Sequence, residues 1–361
     1  MSNRFHGATL TINTGALAAN WRALSRHAGA VETAAVIKAD GYGLGTECVA
    51  RTLATAGCRT LFVAHLSEAL RARTVAPDID IYVLNGLPIG SVSTYLTHRL
   101  RPVLGSGAEI TEWRDQTPEG TPAALHVDTG MSRLGLRVEE VGDLPTVFRP
   151  HLVMSHFVAS EESANPINTR QISAFGRVSA LFSSSVPSLS NSSGIFLRQH
   201  QPIREGLVRP GYALYGGNPT PGAPNPMADV VTLSATILQV RSVTVGETVG
   251  YNGAWVAKRP SMIATVSLGY ADGYLRSGSA SNTTPGGIAM VAGADVPIVG
   301  RVSMDLITLD VTDIKSAASL RGEPATFIGP GLGVDRVASA LGTNGYEILT
   351  SLGGRYNRVL V

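Results

Sequence analysis

AAVIKADGYGLG (34–45) opens on four apolar residues, passes through one basic side chain, Lys38, and closes on a glycine-rich turn. The stretch reads as a buried strand that delivers an amine to its own C-terminal end. Lys38 is one of only three lysines in a 361-residue chain that carries 26 arginines. Arginine therefore meets the ordinary need for surface positive charge, and a lysine at a strand mouth points to work that a guanidinium cannot do. Only an ammonium that can lose its proton acts as a nucleophile. The plainer reading of this residue alone is a strand-end lysine reaching into solvent. Lys258 and Lys315 lie in polar surroundings and read as solvated surface.

Short apolar, β-branched runs recur after this one: TLFVAHL (60–66), IYVL (81–84), RPVL (101–104), AALHVD (123–128), HLVMSH (151–156), PSLSNS (187–192) and LVRPGYALYG (207–216). Stretches with helical spacing separate them, at 14–28, 46–57, 67–75, 106–116, 137–148 and 167–184, the first with Thr14 as its N-cap. Near-continuous apolar strands alternating with helices specify a parallel sheet covered on both faces. Eight such units in about 200 residues fit an α/β fold of the closed (β/α)8 TIM-type barrel kind, with an open doubly wound sheet as the alternative.

The pattern changes at GGNPTPGAPNP (216–226), a glycine- and proline-rich linker without periodicity. Beyond it, VVTLSATILQVRSVTVGETVG (230–250) and the segments that follow alternate with period two and carry many Thr and Val. A mostly β C-terminal domain is expected there, with one short helix near 334–341. The expected organisation is an N-terminal strand, 1–12, packed with the C-terminal domain; a barrel, 13–220; and the β-rich domain, 221–361.

Composition narrows the function. A net charge of +2 without a basic stripe argues against nucleic acid as a partner. No apolar run approaches the roughly 18 residues of a membrane span, and the first residues read as no secretory signal. Cys48 and Cys58 make neither a disulfide framework nor a metal site, which fits a reducing cytoplasm.

A barrel carries its working residues at the C-terminal ends of its strands. Those ends supply Lys38 and Tyr42, then His126 through Arg133, His156, Asn191 with Ser192 and Ser193, and Arg209 followed by Gly211. Glycine and serine turns after the last two strands suit a phosphate. A lysine nucleophile, a phosphate cradle and an arginine on one rim are the parts a pyridoxal phosphate site requires. Taken singly, Ser192 also reads as a helix cap, His156 as a hydrogen-bonded core histidine, and Arg209 as half of an ion pair.

With these residues in view, the chain resembles the alanine racemases, two-domain pyridoxal phosphate enzymes. AVIKADGYGLG matches their lysine signature, and the likeness recurs in order at DTGMSRLG (128–135), SHF (155–157), SNSS (190–193), VRPGYALYG (208–216), VGYNGAW (249–255), LGYADG (268–273), VGRVSMD (299–305) and GGRYNRV (353–359). The resemblance implies that Lys38 holds the cofactor covalently. It implies that Tyr42, Ser192, the backbone N–H groups of Gly211 and Tyr212, and Tyr356 hold the phosphate, with Asn191 alongside. Arg209 would face the pyridine nitrogen, and His156 would link Arg209 to Tyr251. Arg133 and the Met304 backbone N–H would meet the substrate carboxylate.

Racemisation takes the Cα proton from one face and returns one to the other. Lys38 would serve the D-face and Tyr251 the L-face, with Tyr251 contributed by the partner in a homodimer of shared sites. A phenol titrates near 10 in water, so Tyr251 would need help from positive charge. A guanidinium gives up its proton reluctantly, so Arg209 would leave the cofactor ring unprotonated. One departure stands out: His126 occupies a position where the family commonly has a lysine, often carbamylated. Arg133 would then be held by another group, such as Asp128. Tyr212 and Tyr270 would either narrow the substrate entrance or simply pack at the domain interface.

The implied function is interconversion of L- and D-alanine, supplying D-alanine for peptidoglycan in the cytoplasm, with no metal. A racemase of wider range acting on serine is the nearest alternative. An amino-acid decarboxylase would pair the ring nitrogen with a carboxylate, and a non-enzymatic cofactor carrier would need no C-terminal domain.

Overall fold

The computed structural model describes residues 7–144, 148–197 and 203–361. Two compact units divide the chain. One holds the residues through Ala16, Tyr215–Gly217 and Ala228–Val361; the other holds Leu17–Leu214 and Asn218–Met227. The linker therefore clusters with the barrel. The start of the first helix clusters with the β unit because the Thr14 N–H and hydroxyl both donate to the Val361 carbonyl, at 2.9 and 3.0 Å.

In the larger unit, parallel strands run side by side from Ala35–Val36 through Thr60–Val63, Asp80–Val83, Leu100–Leu104, Ala124–Asp128 and Leu152–Met154 to Val186–Ser188. Leu207–Val208 closes the ring. Its flanks take Gly206 N to Pro187 O (2.8 Å) and Arg209 N to Ser190 O (2.8 Å) on one side. On the other, Ala34 N and Val36 N donate to Val208 O and Pro210 O at 2.9 and 2.8 Å. This is the expected closed barrel, and every strand edge is consumed.

The strands are short and apolar because both faces are covered; all four residues of Thr60–Val63 are buried. The helices outside carry one buried stripe each. Leu17, Leu24 and Ala28 mark it on Thr14–Ala28, and Val49, Ala50 and Leu53 on Thr46–Ala56. Each buried leucine contributes about 1.5–3 kcal/mol. The other helices of this unit include Leu66–Val75, Gly107–Gln116 and Pro166–Ala180.

Several local expectations are corrected. Asn13, not Thr14, caps the first helix, its Oδ1 accepting from Ala16 N at 2.8 Å. The strand expected over 34–39 stops at Val36, because the chain turns left-handed at Ala39. Of the helix expected over 137–148, a 3-10 stretch, Val138–Asp143, is what forms; 145–147 lie outside the described residues.

In the smaller unit the 13-residue strand Val231–Val243 is the organiser, and its first half alternates buried and half-buried positions. It pairs antiparallel with Ala8–Ile12, Pro324–Ile328 and Ser261–Val266. Ala8–Ile12 also pairs in parallel with Asn357–Leu360. The N-terminal strand thus sits inside this sheet. Helix Val334–Leu341 lies where expected, and a second helix, Gly345–Thr350, follows it, capped by Asn344.

Candidate active site

Lys38 follows the first barrel strand by two residues and opens a short turn, Lys38–Tyr42, whose interior is not right-handed: Ala39, Asp40, Gly41 and Tyr42 all have positive φ, between 53° and 63°. Burial lowers the Lys38 pKa from the ordinary lysine value, Arg133 lowers it further, and Glu68 opposes both. A desolvated amine beside a guanidinium is a better nucleophile at neutral pH than a surface lysine.

Arg209 is almost fully buried. Its guanidinium donates to Ser188 Oγ at 2.5 Å and to the Ser155 carbonyl at 2.6 Å, and lies 5.8 Å from the centre of the Phe62 ring. Burial lowers its pKa, against the pull of Glu205. Glu205 in turn accepts from Leu189 N, Ser190 N and Ser190 Oγ, which ties down the strand end that precedes Ser192. Among the described residues Arg209 makes no hydrogen bond to His156, the link expected between them; its guanidinium is taken up by Ser188 Oγ and the Ser155 carbonyl. His156 is instead held neutral: burial first, then Arg209, Lys38, Arg133 and His126 push its pKa down to about 3. His126 is lowered to about 4 by burial first, then by Arg209 and Arg133, with Asp128 opposing.

Ser192 Oγ accepts two backbone N–H groups, from Gly211 at 3.0 Å and Ala213 at 3.2 Å. Tyr212 lies between these two donors, buried at the head of the 3-10 turn Tyr212–Tyr215. A Cβ on Gly211 would stand 2.4 Å from the Tyr42 hydroxyl, so that phenol reaches the same turn. Two N–H groups, a serine and a phenol converge there, a donor set that suits a phosphate. Asn191 faces elsewhere: its Oδ1 accepts from Ser160 Oγ and Gly194 N at 2.8 and 2.9 Å.

Arg133 is exposed and lines a cleft with Asp128, Thr129 and Arg177. Asp128 does not hold it. That carboxylate is taken up by the N–H groups of Gly130, Met131 and Ser132, at 2.8–2.9 Å, and so shapes the loop that carries Arg133.

Tyr251, Met304 and Tyr356 belong to the smaller unit. Tyr251 is 68% exposed and Met304 53%. Tyr251 follows Gly250, whose φ of 77° and closeness to Arg301 N (3.2 Å from a Cβ) demand glycine. Met304 is set by Gly269, where a Cβ would lie 2.2 Å from the Met304 carbonyl oxygen, and by Ala271 N donating to that oxygen at 3.0 Å. Neighbouring Tyr270 is 42% exposed. Asp305 pairs with Arg355 at 2.8 Å, and Ser303 Oγ donates to Leu306 O. The Tyr356 hydroxyl is buried without a hydrogen-bond partner, and burial, then Asp272, raises its pKa, so it remains a donor.

Sequence reasoning missed Glu68, Glu205, Ser155, Ser188 and Gln171. Gln171 ties the loops together by donating to Thr129 Oγ1 and His156 O while accepting from Val158 N. The available signal was polar residues in or beside apolar barrel strands, as at Ser155 and Ser188.

A desolvated lysine, a buried arginine and a serine-and-glycine anion cradle at the C-terminal ends of barrel strands define a barrel enzyme built around a phosphorylated, carbonyl-bearing cofactor. Models of the N-terminal and C-terminal domains of alanine racemase match residues 12–219 and 230–360. An alanine racemase of Methylobacterium nodulans is 54% identical, over 98% of this chain and 96% of that one. A biosynthetic alanine racemase of Agrobacterium fabrum is 42% identical over 97% and 92%. A solved alanine racemase from Bartonella henselae, with covalently bound pyridoxal phosphate, superposes with a TM-score of 0.91 at 38% identity, covering 98% and 99% of the chains. The chain belongs to the alanine racemase family.

Proposed function

We infer that this chain is a pyridoxal phosphate-dependent alanine racemase, interconverting L- and D-alanine. The observation that carries the reading is a desolvated Lys38 in the same barrel as a buried Arg209 and the Ser192–Gly211 cradle. Lys38 would hold the cofactor covalently; Ser192, Tyr42 and the N–H groups of the Gly211 turn would hold its phosphate. The orphaned Tyr356 hydroxyl is a donor of the right kind to complete that set. When bound, the cofactor supplies an electron sink that makes the Cα–H of an amino acid acidic.

The residues then divide the work. Arg209, kept cationic by its chemistry and fixed in orientation by Ser188 and Ser155, would donate to the pyridine nitrogen without protonating it. Arg133 and the Met304 N–H would receive the substrate carboxylate. Lys38 would take or return the Cα proton on the D-face, its lowered pKa leaving an unprotonated amine available near neutral pH. Tyr251 would do the same on the L-face. His126 and His156, both neutral, would leave the positive charge near Lys38 to the arginines.

Tyr251, Tyr270, Met304 and Leu306 are all exposed on the smaller unit. That surface supports a homodimer in which the partner completes the site with Tyr251. No described helix is long and apolar enough to cross a membrane. Supply of D-alanine for peptidoglycan in the cytoplasm is the role we propose. Incubation with L-alanine in D2O, following Cα deuteration and the D-enantiomer together, tests the activity. Deuteration without the D-enantiomer, or neither, would overturn it.

A further inference from the structure

The segment that carries Lys38 is strained. Ala39, Asp40 and Tyr42 lie in the left-handed region, at φ 54°, 54° and 53°, and only Gly41 and Gly43 in this run are glycines. That conformation is unfavourable for an L-residue because Cβ crowds the following carbonyl, and such strain persists only where surrounding contacts over-determine it. The contacts are present. Glu68 Oε1 accepts from Asp40 N at 3.1 Å, in the middle of the run. Its Oε2 accepts from Ala64 N and His65 N at 2.8 and 3.1 Å, anchoring the carboxylate to the neighbouring strand end. On the far side, Asp40 Oδ1 accepts from Thr46 N and Thr46 Oγ1, both at 3.0 Å, and pairs with Arg71 at 2.9 Å. Glu68 is itself buried.

We propose that Glu68 is a positioning residue for Lys38: its carboxylate bridges two barrel units and holds the left-handed turn that presents the lysine. This rests on the function proposed above. A second, purely structural use is visible, because Glu68 also caps helix Leu66–Val75. The fold supplies its own control for that use. Glu109 stands at the corresponding position in the first turn of helix Gly107–Gln116, accepting from Leu87 N, Gly105 N and Ser106 Oγ. It touches no strained lysine turn.

The test compares full-length wild type, Glu68→Gln, Glu109→Gln and Glu68→Gln/Ala39→Gly, each supplied with pyridoxal phosphate. Thermal unfolding, the rate of cofactor release and the pH midpoint of borohydride-trapped cofactor at Lys38 are read for each. Both single variants are expected to lose similar stability. Glu68→Gln alone is expected to release cofactor about tenfold faster. It should also move the trapping midpoint to lower pH, because the carboxylate that favours the ammonium is gone while burial and Arg133 remain. Ala39→Gly, which relieves one left-handed strain, should restore much of the retention. Wild-type retention and pH midpoint in Glu68→Gln, or equal changes in Glu109→Gln, would overturn the proposal. Failure of wild type to take up cofactor would instead overturn the function. If Glu68→Gln does not fold, Thr46→Val, which removes the hydroxyl bond to Asp40 on the other side and leaves the backbone N–H bond in place, carries the same expectation of faster release in smaller measure, and wild-type release from it would be fatal.

Discussion

Gly211 and the Tyr42 hydroxyl meet so closely that a single methyl group on Gly211 would stand 2.4 Å from the phenolic oxygen and 3.2 Å from the ring carbon that bears it. The last barrel strand and the first are joined at this point by a contact that only glycine permits.

Gly211→Ala is therefore expected to displace the phenol, at about 1–3 kcal/mol of overpacking. Cofactor titration should show affinity reduced about tenfold. In a Tyr42→Phe background the penalty should shrink, since the nearest clashing atom is absent. An undiminished penalty in that background would show that Gly211 matters for another reason.

Ser188→Ala removes an acceptor from the buried Arg209 guanidinium. Leaving a buried donor unsatisfied costs about 1–3 kcal/mol. Urea denaturation should register that loss, and Ser188→Thr, which keeps the hydroxyl, should recover part of it. An unchanged midpoint for Ser188→Ala would mean that Arg209 does not depend on this bond.

Acid should unfold the barrel earlier than its carboxylates alone would require. His126 and His156 are held down to about 4 and 3 in the fold, chiefly by burial. Unfolded histidines titrate near 6.5. Above that pH neither state binds the protons, and the stability is fully present. As pH falls through 6.5 the unfolded chain takes up protons that the folded chain refuses. Each histidine then removes up to about 1.4 kcal/mol per pH unit until its folded pKa is passed. His126→Gln should flatten stability against pH between about 6 and 4; the same slope in that variant would contradict the assignment.

Tyr251→Phe should leave folding untouched, because the side chain is 68% exposed. Racemisation is expected to fall by about 10²–10⁴, the usual worth of a positioned acid–base group. In D2O, Cα exchange from L-alanine should suffer far more than exchange from D-alanine, which Lys38 serves. Equal losses from both enantiomers would remove the facial assignment.

Much of this protein was legible in its residues. The alternation of apolar runs with helical stretches specified the barrel, because strands buried on both faces leave an unbroken hydrophobic signature. The change to period-two patterning after the linker marked the β domain for the same reason. Lys38, Arg209 and Gly211 stood out because strand ends are where a barrel exposes chemistry. Thr14 was the wrong cap: Asn is the stronger N-cap residue, and the Thr14 hydroxyl is instead taken up by the Val361 carbonyl, 347 residues away. Asp128, one of several groups that could have held Arg133, is taken up instead by three N–H donors of its own loop.

What the chain order alone determined is which side chains arrive at the barrel mouth and what chemistry they offer. Tertiary structure decided the rest: that Lys38 and the histidines are desolvated, that Arg209 is gripped by Ser188 and Ser155, and that Glu68 reaches the turn behind the lysine. These are properties of distance and dielectric between segments remote in sequence. They come into being only when the strands close into a ring.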